Sequence, residues 1–302
     1  MQKAPPTPKG FRDIKPEVAK KRREVINRII EVLESEEFGF LPIETPTLEF
    51  AQTLKGKYGE EERLIYEFKD RGGRDLALRY DLTVPLARYV ATYNPPLPFR
   101  RYQIGQVFRG ENPQHGRYRE FTQLDFDSVG SDSLEEDAKI IAAAIKAVKK
   151  IGVINPQMKI NDRQNFAGLG KKVIIALDKL EKIGESAVVS ELIQKGLSEN
   201  KAAELLTSIR NKKPTDDLEK IFKHLEILGV DKKEYAFDPY LARGLDYYTG
   251  AIFELRVPSY GNLSIGSGGR YDNLIGMLSK KQIPAVGFSF GLDRLIEALG
   301  EN

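Results

Sequence analysis

The chain has 302 residues, of which 41% are hydrophobic and 30% are charged, and its formal net charge is +3. This composition is typical of a globular protein with a sizeable core, and the length favours two domains. Cysteine is absent, which excludes disulfides, thiolate zinc sites and cysteine nucleophiles, and two histidines are too few for a histidine metal cluster. No apolar run has the length of a membrane span and the N-terminus lacks an apolar signal core, so a cytoplasmic protein is expected.

The first hundred residues alternate between helical and strand-like patterns. Apolar residues at helical spacing predict a helix over Pro16–Glu37, and a proline-bearing extended segment follows at Phe40–Glu49. Two short strands are predicted on either side of the turn Asp70–Gly73, and a helix is predicted over Leu82–Tyr93.

Residues 108–130 carry the densest group of charged and polar side chains with a recognisable pattern. An apolar run ending in Arg109 and a later alternating run flank the loop Gly110–Gly116, which predicts two antiparallel strands joined by a long hairpin loop. Gln123 and Asp127 are four residues apart on the return strand and therefore share one face. The clustered arginines suit a polyphosphate, and the amide and carboxylate suit a small polar molecule. In isolation, a solvated charged hairpin is an equal alternative.

The middle of the chain is predicted to be helical. Leu134–Ile151 has the pattern of a long amphipathic helix, with Ser133 and Glu136 spaced as a capping box. Residues 162–230 are rich in Lys, Glu, Leu and Ile at helical spacing, which favours a small helical insertion over a continuation of the main fold. The predicted organisation is a main fold in two parts around this insertion: residues 1–161, 162–230 and 231–302.

The last part returns to strands and turns. Ile252–Val257 alternates, Gly261–Gly269 is rich in glycine, and Pro284–Arg294 runs from a strand into a terminal helix. Gly287 and Gly291 would let another backbone or a flat ligand approach closely. Arg294 is expected on the first turns of the helix; the alternative is a surface arginine beside a glycine-containing core strand.

Together these segments resemble the histidyl-tRNA synthetase family of class II aminoacyl-tRNA synthetases. Six segments carry the resemblance in the family's order: Phe40–Glu49 (motif 1, the dimer-forming element), Leu78–Pro85, Phe108–Gly130 (motif 2), Ala242–Glu254 (the histidine-binding signature particular to the family), Gly268–Asp272 and Gly287–Arg294 (motif 3). Because they extend over nearly the whole chain, the resemblance does not depend on any one of them.

The resemblance implies an α+β fold: a class II synthetase-type antiparallel sheet of six or seven strands, flanked by helices, with a small helical insertion domain. It implies ATP-dependent activation of L-histidine to histidyl-adenylate and transfer to the acceptor end of histidine tRNA by a homodimer. ATP with Mg²⁺ is the implied cofactor, and no metal site on the protein is expected. The substrate carboxylate is already ionised near neutral pH, so catalysis needs positioning and charge neutralisation rather than a general base.

The resemblance also implies which residues form the site. The catalytic cations would be Arg109, Arg243 and Arg294. Histidine would be bound by Asp81, Leu82, Thr83, Arg109, Gln123, Asp127, Arg243, Tyr247 and Tyr248. Of these, Asp81, Thr83 and Gln123 would bind the α-ammonium, and Asp127 and Tyr248 the two imidazole nitrogens. ATP would be bound by Arg109, Glu111, Arg117 and Arg294. For Tyr247 and Tyr248 alone, aromatic residues in a core strand are the alternative.

Full-length members of the family carry an anticodon-binding domain after motif 3, whereas this sequence ends at Asn302, so weak tRNA charging is expected. The alternative is a non-catalytic regulatory subunit of the ATP phosphoribosyltransferase type, which binds histidine or a partner enzyme. Such a subunit is expected to have lost some of the three catalytic arginines. All three are present here, which favours the enzyme.

Overall fold

The computed structural model describes residues 5–242, 247–261 and 263–300. The α-helices are Pro16–Leu33 (α1), Ala51–Leu54 (α2), Thr83–Tyr93 (α3), Leu134–Lys150 (α4), Lys171–Leu177 (α5), Leu180–Ile183 (α6), Glu185–Gln194 (α7), Glu199–Arg210 (α8), Asp216–Ile227 (α9) and Leu292–Ala298 (α10). The strands are Leu41–Pro42 (β1), Leu48–Phe50 (β2), Glu67–Lys69 (β3), Asp75–Leu78 (β4), Phe99–Phe108 (β5), Glu120–Val129 (β6), Gln157–Asp162 (β7), Tyr235–Phe237 (β8), Ala251–Arg256 (β9), Ser264–Arg270 (β10) and Ala285–Gly291 (β11). None of the described helices is both long and apolar enough to cross a membrane.

Eight of the described strands form one sheet, in the order β1-β5-β6-β11-β10-β9-β7-β8, and the other three form a small sheet, β2-β4-β3. The predicted class, α+β with a largely antiparallel sheet flanked by helices, is confirmed. The strand number differs from the expected six or seven because short strands are added at both edges. Both edge pairs, β1 with β5 and β7 with β8, are parallel.

Helices cover one face of the large sheet because their apolar sides share a single core with it. Buried residues of α1, α4, α9 and α10 belong to the same hydrophobic cluster as those of the central strands. Helix α4 is rich in alanine, and its small side chains let it pack against α1, α9 and β11. Helices α5, α7 and α8 contribute to the second cluster. The predicted domain boundaries are not tested by this packing and stay a prediction.

The start of α4 differs from the predicted capping box. Ser133 caps the helix, accepting a hydrogen bond from the backbone N–H of Glu135 at 3.3 Å. Glu136 does not return to the cap, because its carboxylate accepts hydrogen bonds from Arg100 at 2.5 and 2.9 Å and from Ser128 at 2.6 Å. These bonds lower the pKa of Glu136 to about 2, although its burial acts in the opposite direction. Tertiary partners on β5 and β6 therefore outcompete the local cap.

The glycine-rich segment predicted from the sequence forms strand β10 in the interior of the sheet. It pairs with β9 on one side and β11 on the other. A Cβ atom added at Gly266 would overlap Phe288, and one added at Gly268 would overlap the carbonyl oxygen of Gly287. These glycines are therefore needed because neighbouring strands and aromatic rings occupy the space that a side chain would take.

A buried ion pair joins the N-terminus of α4 to strand β10. The guanidinium of Arg270 contacts the carboxylate of Asp137, and these side chains are 7% and 0% exposed. Arg270 also donates to the carbonyl oxygens of Ser131 and Ser133, each at 3.2 Å, so most of its donors are satisfied. Its own carbonyl oxygen accepts from the backbone N–H of Thr249 at 2.8 Å. The ion pair thus fixes β10 to the start of α4, and the backbone hydrogen bond from Thr249 joins the end of β10 to the loop that precedes β9.

We predict that Asp137→Ala lowers the free energy of unfolding by about 3–5 kcal/mol, because it removes the closer counter-ion of the buried Arg270 guanidinium and leaves it with the more exposed Asp272 at 3.2 Å. Denaturant titration would measure the change. Asp75→Ala is the matched control, since it breaks an ion pair with Lys69 whose side chains are 66% and 67% exposed. The control is expected to leave the stability nearly unchanged. Similar losses in both variants would contradict the importance of the buried pair.

Candidate active site

The cavity that brings the predicted site residues together opens on one side of strand β6. Because side chains alternate along a strand, Leu124 and Phe126 lie in the core, while Gln123, Asp125 and Asp127 line the cavity. The cavity has a volume of about 670 Å³. The predicted residues that line it are Asp81, Thr83, Arg109, Glu111, Arg117, Gln123, Asp127, Tyr247, Tyr248 and Arg294. Their roles stay predictions.

One predicted residue within the described structure, Leu82, does not line the cavity. Leu82 is fully buried, and its carbonyl oxygen lies 3.4 Å from Nη2 of Arg101. It therefore supports the wall of the site rather than facing a ligand. Arg243 falls outside the described residues.

Arg109 is held at the hairpin end of the cavity by aromatic rings and a backbone contact. Its Nε donates to the carbonyl oxygen of Tyr80 at 3.1 Å. Its guanidinium carbon lies 4.3 Å from the centroid of the Tyr80 ring and 5.1 Å from that of Phe121. The Tyr80 hydroxyl in turn donates to Glu61. Cation–π contacts of this kind orient a guanidinium while leaving its remaining donors available for an anion.

Arg294 connects the first turn of α10 to the hairpin loop. Its Nε donates to the carbonyl oxygen of Gly116 at 2.8 Å, and its Nη1 donates to that of Ser264 at 3.1 Å. Arg117 lies on the same loop and pairs with Glu111 at 3.3 Å. Burial, together with the nearby positive charge of Arg117, lowers the pKa of Arg294. Two arginines from separate motifs thus meet at this end, an arrangement suited to phosphate oxygens.

Asp81 lies at the N-terminus of α3 and is already engaged by the chain. Its Oδ1 accepts hydrogen bonds from the Tyr58 hydroxyl at 2.9 Å and from the backbone N–H of Val84 at 3.0 Å. Burial raises the pKa of Asp81, and the hydrogen bond from Val84 and the charge of Arg109 act against that rise. The carboxylate therefore caps a helix as well as lining the cavity.

Asp127 is enclosed by residues of the two strands paired with β6 and by Tyr271, the residue that follows β10. Its Oδ1 accepts from the Tyr271 hydroxyl at 2.5 Å, and its Oδ2 lies 2.7 Å from Nη2 of Arg101, which is completely buried. The contact with Arg101 is ionic, since its angles do not make an aligned hydrogen bond. Opposite Asp127 on β11 is Gly287, where a Cβ would overlap the carboxylate. Burial raises the pKa of Asp127, and Arg101 and Tyr271 limit the rise.

Four residues of the site were not predicted from the sequence: Arg101, Asp125, Tyr271 and Ser289. Asp125 could have been found, because it lies between Gln123 and Asp127 on the face assigned to both. Tyr271 belongs to a segment that was recognised but given no role. The burial of Arg101 and the position of Ser289 depend on the register of paired strands, β5 with β6 and β11 with β6, which no local pattern reveals. Among the described residues, no group of three potential ligands could hold a metal ion.

Comparison with known proteins gives one consistent family. A family model described as histidyl-tRNA synthetase matches residues 10–186 and 171–295. The histidine–tRNA ligase of Aeropyrum pernix is 42% identical, covering 97% of this chain and 74% of its own length. The histidine–tRNA ligase of Treponema denticola is 41% identical, covering 96% of this chain and 72% of its own length. This chain therefore spans about three quarters of the length of these curated relatives.

Solved structures agree with the sequence matches. A histidyl-tRNA synthetase from Nostoc superposes with a TM-score of 0.82 at 31% identity, covering 97% of this chain and 75% of that one. A protein from Bacillus halodurans described as an ATP phosphoribosyltransferase regulatory subunit/histidyl-tRNA synthetase gives a TM-score of 0.83 at 26% identity, covering 100% of this chain and 85% of that one. With a matching family model over most of its length and relatives above 40% identity, the chain belongs to the histidyl-tRNA synthetase family.

Proposed function

We propose that this protein activates L-histidine with ATP to form histidyl-adenylate and then transfers the histidyl group to the acceptor end of histidine tRNA. The observation that carries the proposal is the convergence of two chemically different groups on one cavity. Arg109, Arg117 and Arg294 lie at the hairpin end, and the polar face of β6 with Asp127 lies beyond them. Cytoplasmic location accompanies the proposal, because that is where tRNA charging is needed.

In the proposed reaction, a carboxylate oxygen of histidine attacks the α-phosphorus of ATP. A carbon–oxygen–phosphorus linkage forms, the bond from the α-phosphorus to the bridging oxygen breaks, and pyrophosphate leaves with its electron pair. No proton is removed from the nucleophile, since it is already a carboxylate. Arg109, with Arg243 by the resemblance, would neutralise charge on the α-phosphate, and Arg294 would hold the distal phosphates. Mg²⁺ would arrive with the nucleotide as part of this substrate.

Selection of histidine would depend on the two nitrogens of its ring. Asp127 is an acceptor for a ring N–H, and Tyr248 would address the other nitrogen. The Tyr271 hydroxyl and Arg101 support this assignment because their contacts hold the Asp127 carboxylate in place at the cavity. An apolar side chain such as leucine would leave these buried polar groups unpaired, a cost that discriminates strongly between substrates.

A regulatory subunit that binds histidine without activating it is the second candidate, since the B. halodurans structure carries both descriptions. A protein with no adenylation reaction needs no cations at a phosphate site. Arg109 and Arg294 here are held in place by specific contacts at the cavity. Their retention supports the enzyme over the regulatory subunit.

Replacement of Arg109 tests the catalytic proposal. Arg109→Ala should lower kcat/KM for histidine-dependent ATP–pyrophosphate exchange by about 100- to 1000-fold, because it removes a charge that stabilises the transferring phosphoryl group. Arg71→Ala, in the exposed turn between β3 and β4, is the matched control and should leave the rate unchanged. If the parent chain binds L-histidine but exchanges no pyrophosphate, the regulatory candidate replaces the enzyme.

Activation and charging are expected to separate in a polypeptide of residues 1–302. Adenylation requires only the cavity, whereas transfer also requires tRNA to be held by contacts with its phosphates, and a net charge of +3 offers few of these. Exchange should be readily measurable while charging of histidine tRNA is slow and strongly inhibited by salt. Measuring both on one preparation tests this. Tight, salt-insensitive tRNA binding at a full charging rate would contradict it.

We also propose that the protein is a homodimer formed through motif 1. Apolar side chains in motif 1 and on the small sheet beside it are exposed: Leu41 of motif 1 is 62% accessible, and Phe50 on β2 and Phe68 on β3, just outside the motif, are 50% and 44% accessible. A second copy related by a two-fold axis would cover such a surface. Light scattering at micromolar concentration should give twice the chain mass, and Phe50→Glu should reduce it toward that of one chain. A monomeric parent protein that forms adenylate would contradict the proposal.

A further inference from the structure

Within the described chain, the buried side-chain polar atoms that lack a hydrogen-bond partner are confined to one place. They are Nε of Arg101, Oε1 of Gln123, Oδ1 of Asp125 and Oδ2 of Asp127. All four residues lie on β5 or β6, and the last three line the cavity. Since buried polar atoms are almost always hydrogen-bonded in native proteins, this cluster indicates a binding site for polar groups.

Asp127 and Arg101 compensate each other, whereas Gln123 and Asp125 do not. The Asp127 carboxylate has the Arg101 guanidinium 2.7 Å from one oxygen and the Tyr271 hydroxyl on the other. Two buried arginines act on the charge of Asp125: Arg101, which is already paired with Asp127, and Arg79, whose guanidinium donates to the carbonyl oxygens of Gln106 and Thr45. Two neighbouring acceptors therefore remain on β6, one an amide oxygen and the other a carboxylate oxygen.

Ser289 determines which atoms of these two side chains remain as acceptors. Nε2 of Gln123 donates to Oγ of Ser289 at 2.8 Å. The Ser289 hydroxyl is also hydrogen-bonded to the Asp125 carboxylate, which lies directly opposite on the paired strand. Because the amide nitrogen of Gln123 is thus engaged, its oxygen is the group left over. The two Cα atoms are about 6–7 Å apart along the strand, a separation that one bridging hydroxyl can span.

We propose that Asp125 binds the α-ammonium of the amino-acid substrate together with Gln123, and that Ser289 is the positioning residue for both. The inference rests on the proposed function, because it takes this cavity to be the histidine site. An ammonium group offers three N–H donors and one positive charge, which match two adjacent acceptors of which one is anionic. Asp81 is less suited to act alone, since its Oδ1 already accepts from Tyr58 and Val84.

The electrostatic surroundings of Asp125 are consistent with a charge partner supplied by the ligand. Burial raises the pKa of Asp125 to about 7, Arg101 acts against that rise, and the neighbouring carboxylate of Asp127 adds to it. A bound cation would favour the ionised carboxylate. The contact would strengthen substrate binding without placing Asp125 in the chemical step.

The test compares the parent chain with Asp125→Asn, a change that keeps the shape of the side chain and removes its charge. Three ligands are used: L-histidine, L-histidinol, which lacks the carboxylate, and 3-(imidazol-4-yl)propanoate, which lacks the ammonium. Affinities come from calorimetry, with competition at high concentration for the weak analogue. We expect binding of L-histidine and L-histidinol to weaken by about 10- to 100-fold. Binding of the analogue without the ammonium and of ATP should change by less than about threefold.

A loss of equal size for all three imidazole ligands would assign Asp125 to the ring or to the fold, and an unchanged affinity for L-histidine would remove it from the site. Either result overturns the proposal. Ser289→Ala should also weaken binding of L-histidine and L-histidinol selectively, but by a smaller factor. Ser289→Thr, which keeps the hydroxyl, should bind these ligands as the parent chain does. A parent chain that binds none of the three ligands would instead refute the proposed function itself.

Discussion

The arrangement of the active site depends on the burial of three carboxylates, Asp81, Asp125 and Asp127, around one cavity. Removing a carboxylate from water costs several kcal/mol unless cations or hydrogen-bond donors replace the solvent. The groups that replace the solvent differ among the three carboxylates. Asp81 accepts hydrogen bonds from a backbone N–H at the N-terminus of α3 and from a tyrosine hydroxyl. Asp127 forms an ion pair with a buried arginine and accepts a hydrogen bond from another tyrosine hydroxyl. Asp125 has the Ser289 hydroxyl as a hydrogen-bond donor and shares the charges of Arg101 and Arg79 with their other partners.

The register of the central strands provides these partners. On β11, Gly287 lies opposite Asp127 and Ser289 opposite Asp125, while on β5 Arg101 lies opposite Asp127. A slip of one residue would turn the polar face of β6 into the hydrophobic core and place apolar side chains in the cavity. The core beneath β6 and the site above it therefore constrain each other, and Gly287 is required at its position because the Asp127 carboxylate fills the space beside it.

Much of the fold could be predicted from the sequence because it follows local patterns. The helices α1, α3 and α4 and the hairpin of β5 and β6 were all indicated by apolar periodicity and turn residues, with ends displaced by a few residues. Local patterns gave a wrong prediction or none where distant partners decide the outcome. Glu136 leaves the predicted capping box for Arg100, and a glycine-rich segment becomes an interior strand because Phe288 and Gly287 occupy the space beside it. The short parallel edge strands leave no periodic signal.

For the site, too, some residues could be predicted from the sequence and others could not. Residues within the recognised motifs, such as Arg109 and Asp127, could be assigned by resemblance, and the structure brings them to one cavity. Residues whose importance comes only from strand pairing could not be assigned: nothing in the sequence around Arg101 indicates that it is completely buried beside a carboxylate. Predicting it would have required the register of β5 against β6, in which Arg101 pairs with Asp127, 26 positions further along the chain.

We propose that the polar face of β6, formed by Gln123, Asp125 and Asp127, binds the amino-acid substrate. A crystal structure of this chain with L-histidine tests it most directly. We expect the imidazole ring at Asp127, with one ring nitrogen at hydrogen-bonding distance from its carboxylate, and the α-ammonium between Gln123 and Asp125. Histidine bound in the reverse orientation, with its ring at Arg109 and its ammonium at Asp127, would contradict the account.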